Sequence, residues 1–176
     1  MGTKHEMQVL LTRTEIAAGV RRLAVALSRD YKGKNPLLVG VLRGAFVFLS
    51  DLVRGMDIPV KVDFVAVESY KGTQSTGRVQ IVHKIRLPIE GEHVVVIEDI
   101  VDTGRTTTYV LRYLARRKPA SLRVCALLDK PSRREIQVPI DYLGFTVPDR
   151  FLVGYGLDWN QEYRNLPDIC VVDERK

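Results

Sequence analysis

The chain has 176 residues, enough to bury a core without disulfides or a structural metal. Its 45% hydrophobic and 27% charged residues are a globular composition and exclude a disordered or collagen-like chain. Lys plus Arg number 27 against 21 Asp plus Glu, a net charge of +6, which favours polyanionic partners such as nucleotides, phosphate esters, pyrophosphate or RNA without choosing among them.

Met1 to Met7 is polar and carries no signal-peptide core. No apolar run approaches the ~20 residues of a membrane span. The expected location is therefore the cytoplasm, with no membrane partner. Thr12 and Glu15 form a capping-box pattern, and Ile16, Val20, Leu23 and Leu27 follow at helical spacing. Leu37 to Leu42 is a short apolar run that reads as a buried strand. Arg43-Gly44 breaks it, and a helix is predicted over 45–53. A valine-rich strand is predicted over 60–68. Residues 69–78 have loop composition, and a strand resumes over 79–85.

Val94 to Ile97 reads as a central parallel strand ending in Glu98-Asp99. A helix is predicted from Arg105 to Lys118, stopping at Pro119, then a strand over 122–128. Asp141 to Val172 is expected to form a small hood-like appendage. Strands alternating with helices imply an α/β fold, a doubly wound and mostly parallel sheet with flanking helices, in one domain over 1–176. Ligands of such sheets bind beyond the carboxyl ends of the strands. Cys125 and Cys170 sit in apolar, strand-like stretches and read as buried free thiols.

Chemistry concentrates in Val94 to Thr108, VVVIEDIVDTGRTTT. Glu98, Asp99 and Asp102 crowd one strand end, where like charges call for a cation or hydroxyl donors. Thr103, Gly104, Arg105, Thr106 and Thr107 then open a helix, whose free N–H groups suit a phosphate. Gly104 allows close backbone approach. An acidic half beside an anion-binding half suits a ligand with both a diol and a phosphate, such as a ribose 5-phosphate. Singly, each feature also reads as an ordinary strand end or helix cap.

The run Val94 to Thr107 resembles the phosphoribosyl pyrophosphate signature of the type I phosphoribosyltransferases. Val39 to Ala45, Ser69-Tyr70 with Gln74 to Gly77, Leu127 to Lys130 and Asp149 to Leu166 extend the likeness to the hypoxanthine-guanine phosphoribosyltransferases, over roughly residues 10–172. The resemblance implies transfer of the 5-phosphoribosyl group to hypoxanthine or guanine, in purine salvage. Residue by residue, it implies that Glu98 and Asp99 hold the ribose hydroxyls directly or through Mg²⁺, and that Asp102 to Thr107 wrap the 5-phosphate. Asp102 is then the general base near N7 of the purine. Lys130 donates to the purine O6, Phe151 stacks on the base, and Leu152 reads its opposite edge through backbone groups.

Asp158 matches the carboxylate of a second Mg²⁺ site, and Arg164 an arginine that contacts pyrophosphate. Arg43-Gly44 matches a pyrophosphate loop that carries a cis peptide in the family, although lysine is common where this chain has Arg43. Ser69 and Tyr70 match the start of a lid. Trp159 stands where tyrosine or phenylalanine is common, next to Asp158. The family assembles as homodimers or homotetramers, so the same is expected here. The alternative of another class is an RNA-binding regulator on the same fold, with Arg112, Arg116, Arg117 and Lys118 as its basic helix end. No aromatic-rich RNA motif accompanies them, so no nucleic-acid partner is expected. Xanthine, adenine and uracil are the alternative bases, and Lys130 argues against adenine.

Overall fold

The central strands carry apolar residues on both faces, so helices must cover both sides of the sheet. The computed structural model describes residues 7–69 and 79–172. The chain runs β1 (Met7–Leu11), α1 (Arg13–Asp30), β2 (Leu37–Leu42), α2 (Phe46–Gly55), β3 (Lys61–Ser69), β4 (Val79–His83), β5 (His93–Val101), α3 (Arg105–Ala115), β6 (Ser121–Asp129), β7 (Tyr142–Thr146), β8 (Leu152–Val153) and β9 (Ile169–Val172). A six-stranded sheet has the order β4-β3-β2-β5-β6-β7, parallel except for the β3–β4 pair.

Alternation along the strands sorts the core into two layers. Leu38, Val95 and Ile97 face α1 and α2, where they join Ile16, Val20, Leu23, Leu27, Phe48 and Leu52. Leu37, Val39, Val94 and Val96 face α3 and meet Val110 and Leu114. Each such buried side chain stabilises the fold by roughly 1.5–3 kcal/mol. The expected capping box is present: Glu15 N–H donates to Thr12 Oγ1, and Thr12 N–H donates to Glu15 Oε2 over 2.8 Å. Cys125 and Cys170 are free and buried.

Four features differ from the sequence expectations. Residues Met7–Leu11 form a strand, because β9 supplies an antiparallel partner. Pairing between β5 and β6 continues to Val101↔Asp129, so Glu98 and Asp99 lie inside the strand rather than beyond it. Helix α3 stops at Ala115, and 116–118 finish as tight turns, with Lys118 at φ 55°. The segment 141–172 is not all appendage: β7 joins the main sheet parallel to β6. The rest supplies β8 and β9, which complete a second antiparallel sheet of order β1-β9-β8.

Candidate active site

The site forms where β5 and β6 end and the 147–166 segment folds back over them. The half-buried Arg134 ties these ends together. It donates to the carbonyl oxygens of Asp102 (3.0 Å) and Val101 (3.1 Å) and pairs with Asp129. Lys130 follows directly and its N–H bonds Val101 O. A cleft of about 710 Å³ results, lined by Asp99, Asp102, Lys130, Phe151, Leu152 and Asp158 among others. Six residues singled out from the sequence thus share one cavity.

Inside it the groups differ in their state. The Asp102 Oδ1 atom is shielded from solvent and, among the described residues, accepts no hydrogen bond. Its neighbour is Arg133 Nε at 3.3 Å, an ion pair without hydrogen-bond alignment. Such an acceptor is costly unless a ligand uses it. Lys130 is 6% exposed and donates to Arg150 O over 2.9 Å. Phe151 is 44% exposed and stands edge-on to Trp159, with ring centroids 5.0 Å apart. An exposed aromatic with a braced edge offers its face to a planar ligand.

Glu98 does not line this cleft. It is 3% exposed and accepts from Thr107 Oγ1 over 3.0 Å, beneath the first turn of α3. Burial, then the neighbouring Asp99, pushes its carboxyl up to about 8. Burial also pushes Asp99 up to about 6, opposed by backbone N–H groups and by Arg164. Asp99 lies so close to Gly44 that a Cβ there would meet its Oδ2 at 1.6 Å. The Leu42–Arg43 peptide bond is cis.

Gly104 caps α3 at φ 84° with no side-chain cap hydrogen bond, and the Arg105 N–H donates to Thr103 Oγ1 over 3.4 Å; a helix start suits an anion. A Cβ on it would meet Ile136 O at 2.2 Å. Thr103 O holds the same strand of chain by accepting from Glu135 and Ile136 N–H. Arg105 is paired to Glu135 at 2.5 Å. Thr106 is partly exposed and Thr107 buried. Ser69 is the last residue of β3, in register with Val79, while Tyr70 lies outside the described residues.

Asp158 pairs with Arg164 at 2.8 Å. Arg43 and Arg164 both reach Gln161. Among the described residues, no three His, Cys, Asp or Glu converge to hold a metal unaided. A pair of cleft carboxylates, Asp99 and Asp158, suits a magnesium ion that completes its shell with substrate oxygens and water.

The family model described as phosphoribosyl transferase domain matches residues 8–160. The chain belongs to the phosphoribosyltransferase family. Within it, this phosphoribosyltransferase is 44% identical over 177 residues to the hypoxanthine phosphoribosyltransferase of Salmonella typhimurium, covering 97% of this chain and 99% of that one. It is 44% identical over 166 residues to the bifunctional protein TilS/HprT of Listeria monocytogenes, and there spans only 26% of that protein's length against 94% of its own. A crystal structure of a hypoxanthine phosphoribosyltransferase from Staphylococcus aureus superposes with a TM-score of 0.89 at 43% identity, covering 94% of this chain and 91% of that one. The likeness runs over nearly the whole chain in both sequence and fold.

Sequence reasoning missed Arg133, Arg134, Asp149 and Gln161. The first two had a signal: Lys130-Pro-Ser-Arg-Arg134 is a basic run beginning where a central strand ends. Gln161 lies in the matched 149–166 segment, but the resemblance attached no role to it, and a polar residue in a loop carries no period.

Proposed function

We propose that the chain transfers the 5-phosphoribosyl group of phosphoribosyl pyrophosphate to hypoxanthine or guanine, releasing pyrophosphate. The observation that carries this reading is the shielded Asp102 Oδ1, which among the described residues accepts no hydrogen bond and has only the Arg133 ion pair beside it, in one cleft with the Lys130 ammonium and the open face of Phe151.

The base lies against Phe151, its far edge on the backbone of Leu152. Lys130 Nζ donates to the purine O6, which selects 6-oxo over 6-amino bases because an ammonium donates and cannot accept. Asp102 takes the N7 proton as N9 attacks C1 of the sugar and the bond to pyrophosphate breaks. Its carboxylate also faces the positive charge developing on the ribosyl ring, so the contribution is positional and electrostatic. Thr103 to Thr107, with Gly104 and Arg105, hold the 5-phosphate on the α3 N-terminus. Arg43, Gly44 and Arg164 hold the pyrophosphate.

Asp99 and Asp158, with Glu98 behind, hold Mg²⁺, which supplies charge neutralisation for the leaving pyrophosphate. Asp99 also meets the ribose hydroxyls, whereas Glu98, buried beneath α3, stands behind it and does not reach the cleft. The active species is a homodimer or homotetramer in the cytoplasm. No helix among the described residues is long and apolar enough to cross a membrane.

A base panel tests the reading. Purified protein with phosphoribosyl pyrophosphate and Mg²⁺ is given hypoxanthine, guanine, xanthine, adenine or uracil. Nucleotide formation with hypoxanthine and guanine, abolished by chelation, is expected. Product with adenine would overturn the role of Lys130. No product with any base would overturn the reading and return the RNA-binding alternative, checked by a salt titration of RNA affinity.

A further inference from the structure

Two arginines converge on a single neutral oxygen. Arg43 NH1 donates to Gln161 Oε1 over 2.8 Å, and Arg164 NH2 donates to the same atom over 3.1 Å. These residues are far apart in the chain, Arg43 following β2 and Gln161 in the segment after β8. The glutamine is itself held on its other side. Its backbone N–H and its Nε2 donate to Asp158 Oδ2 over 2.9 and 3.3 Å. Arg164 is fixed a second time by Asp158 Oδ1 (2.8 Å) and by donation to Gly156 O (2.7 Å). Gly156, at φ 101°, presses on the Arg43-Gly44 loop: a Cβ there would meet Gly44 O at 2.2 Å. The backbone of Asn160 (φ 51°), Gln161 (φ 70°) and Tyr163 (φ 70°) is left-handed, a conformation costly for these residues and held only by its surroundings.

A carboxamide oxygen is a weak partner for two guanidinium groups, which prefer carboxylate or phosphate oxygens. Arg164 also pairs with Asp158, yet the atom the two arginines share is neutral, so their common point is poised for an anion. We infer that Gln161 is a positioning residue for the leaving group: its side-chain oxygen occupies, in the free protein, the place of a pyrophosphate oxygen, and keeps Arg43 and Arg164 aimed at that point. This rests on the transferase reading above and goes beyond it by assigning a role to a residue of the matched 149–166 segment to which the resemblance gave none, and to the Arg43 side chain rather than its backbone. When pyrophosphate arrives, the arginine hydrogen bonds pass from amide to phosphate oxygen. The exchange favours the ligand because its bonds are charge-assisted on both sides. Asp158 meanwhile loses its partner Arg164 to the ligand and is free for a cation.

The test is calorimetric, on the full chain with Mg²⁺ present, using inorganic pyrophosphate as one probe and inosine monophosphate as the other. The nucleotide occupies the base, ribose and 5-phosphate sites but not the pyrophosphate site. In Gln161→Glu a full charge holds both arginines and repels the ligand, so pyrophosphate affinity falls by about tenfold or more. In Gln161→Ala the arginines lose their common anchor, and affinity falls by roughly three- to tenfold. Nucleotide affinity stays within about twofold in both. Wild-type pyrophosphate affinity in either variant overturns the inference. So does a parallel loss for both probes, which would mark a merely structural role. If the wild-type chain binds pyrophosphate but makes no nucleotide from any base, the transferase reading fails while the Gln161 comparison remains decisive for the anion site.

Discussion

Thr107 Oγ1 donates to the buried Glu98 Oε1 over 3.0 Å, and this one bond does not offset the burial of the carboxylate, whose pKa rises to about 8. The free protein therefore holds a proton on Glu98 that the unfolded chain, at an ordinary 4.5, does not. The folded state binds more protons between those values, so this group's contribution to stability is full below about pH 4.5 and is lost as pH rises through about 8. Asp99, raised to about 6, acts in the same direction. We expect Glu98→Gln, compared with the wild type in chelator, to gain relative thermal stability as pH goes from 5 to 9. The gain should reach roughly 5 °C in Tm. A constant difference between the two proteins across that range would refute the buried, protonated Glu98.

In the proposed reaction Asp102 accepts the N7 proton, and Asp102→Asn keeps its shape while removing the charge. Turnover should fall roughly 10²- to 10⁴-fold, while the dissociation constants of both substrates move by less than about threefold. Steady-state kinetics and equilibrium binding on the same preparation decide it. Unchanged kcat would remove Asp102 from its role.

Lys130 is held by Arg150 O before any base arrives, so its ammonium is oriented toward the cleft at little further cost. Removing it in Lys130→Ala should weaken hypoxanthine or guanine by roughly 10- to 100-fold, as for a hydrogen bond to a charged group. The KM for phosphoribosyl pyrophosphate should stay nearly constant. Equal losses for both substrates would contradict the assignment.

Two glycines of the site should separate function from folding. A methyl at Gly44 meets the Asp99 carboxylate, Oδ2 at 1.6 Å and Cγ at 2.5 Å, a side chain that must turn to admit it; no backbone atom is among its nearest contacts. Gly44→Ala should thus fold with nearly wild-type Tm but lose about tenfold or more in kcat/KM for phosphoribosyl pyrophosphate. A methyl at Gly104 meets the backbone oxygen of Ile136 at a φ of 84°, where neither side yields cheaply. Gly104→Ala should lose roughly 2 kcal/mol or more of stability. Urea unfolding and kinetics on both variants test the contrast, which reversal of the two effects would break.

Much of this protein is legible locally. The capping box at Thr12–Glu15, the two-faced strands at 37–42 and 94–97, and the acidic-then-hydroxylated run 98–107 all act through near neighbours in the chain, so residue order alone specifies the α/β layers and points to the strand ends. Glu98 also shows where that stops: its place in the motif says nothing of its being turned under α3 and kept protonated, which depends on what covers it. Residues 7–11 become a strand only because β9, more than 150 residues later, pairs with them. Their pattern is too short and too exposed to announce a strand unaided. Tyr142–Thr146 enters the main sheet because β6 offers an open edge there, a fact absent from its composition. Arg134 on Val101 and Asp102, and Gln161 between Arg43 and Arg164, join segments with no shared period. Sequence determined which chemistry lies at which strand end; only the tertiary structure, by bringing remote loops within hydrogen-bond reach, decided which groups aim it.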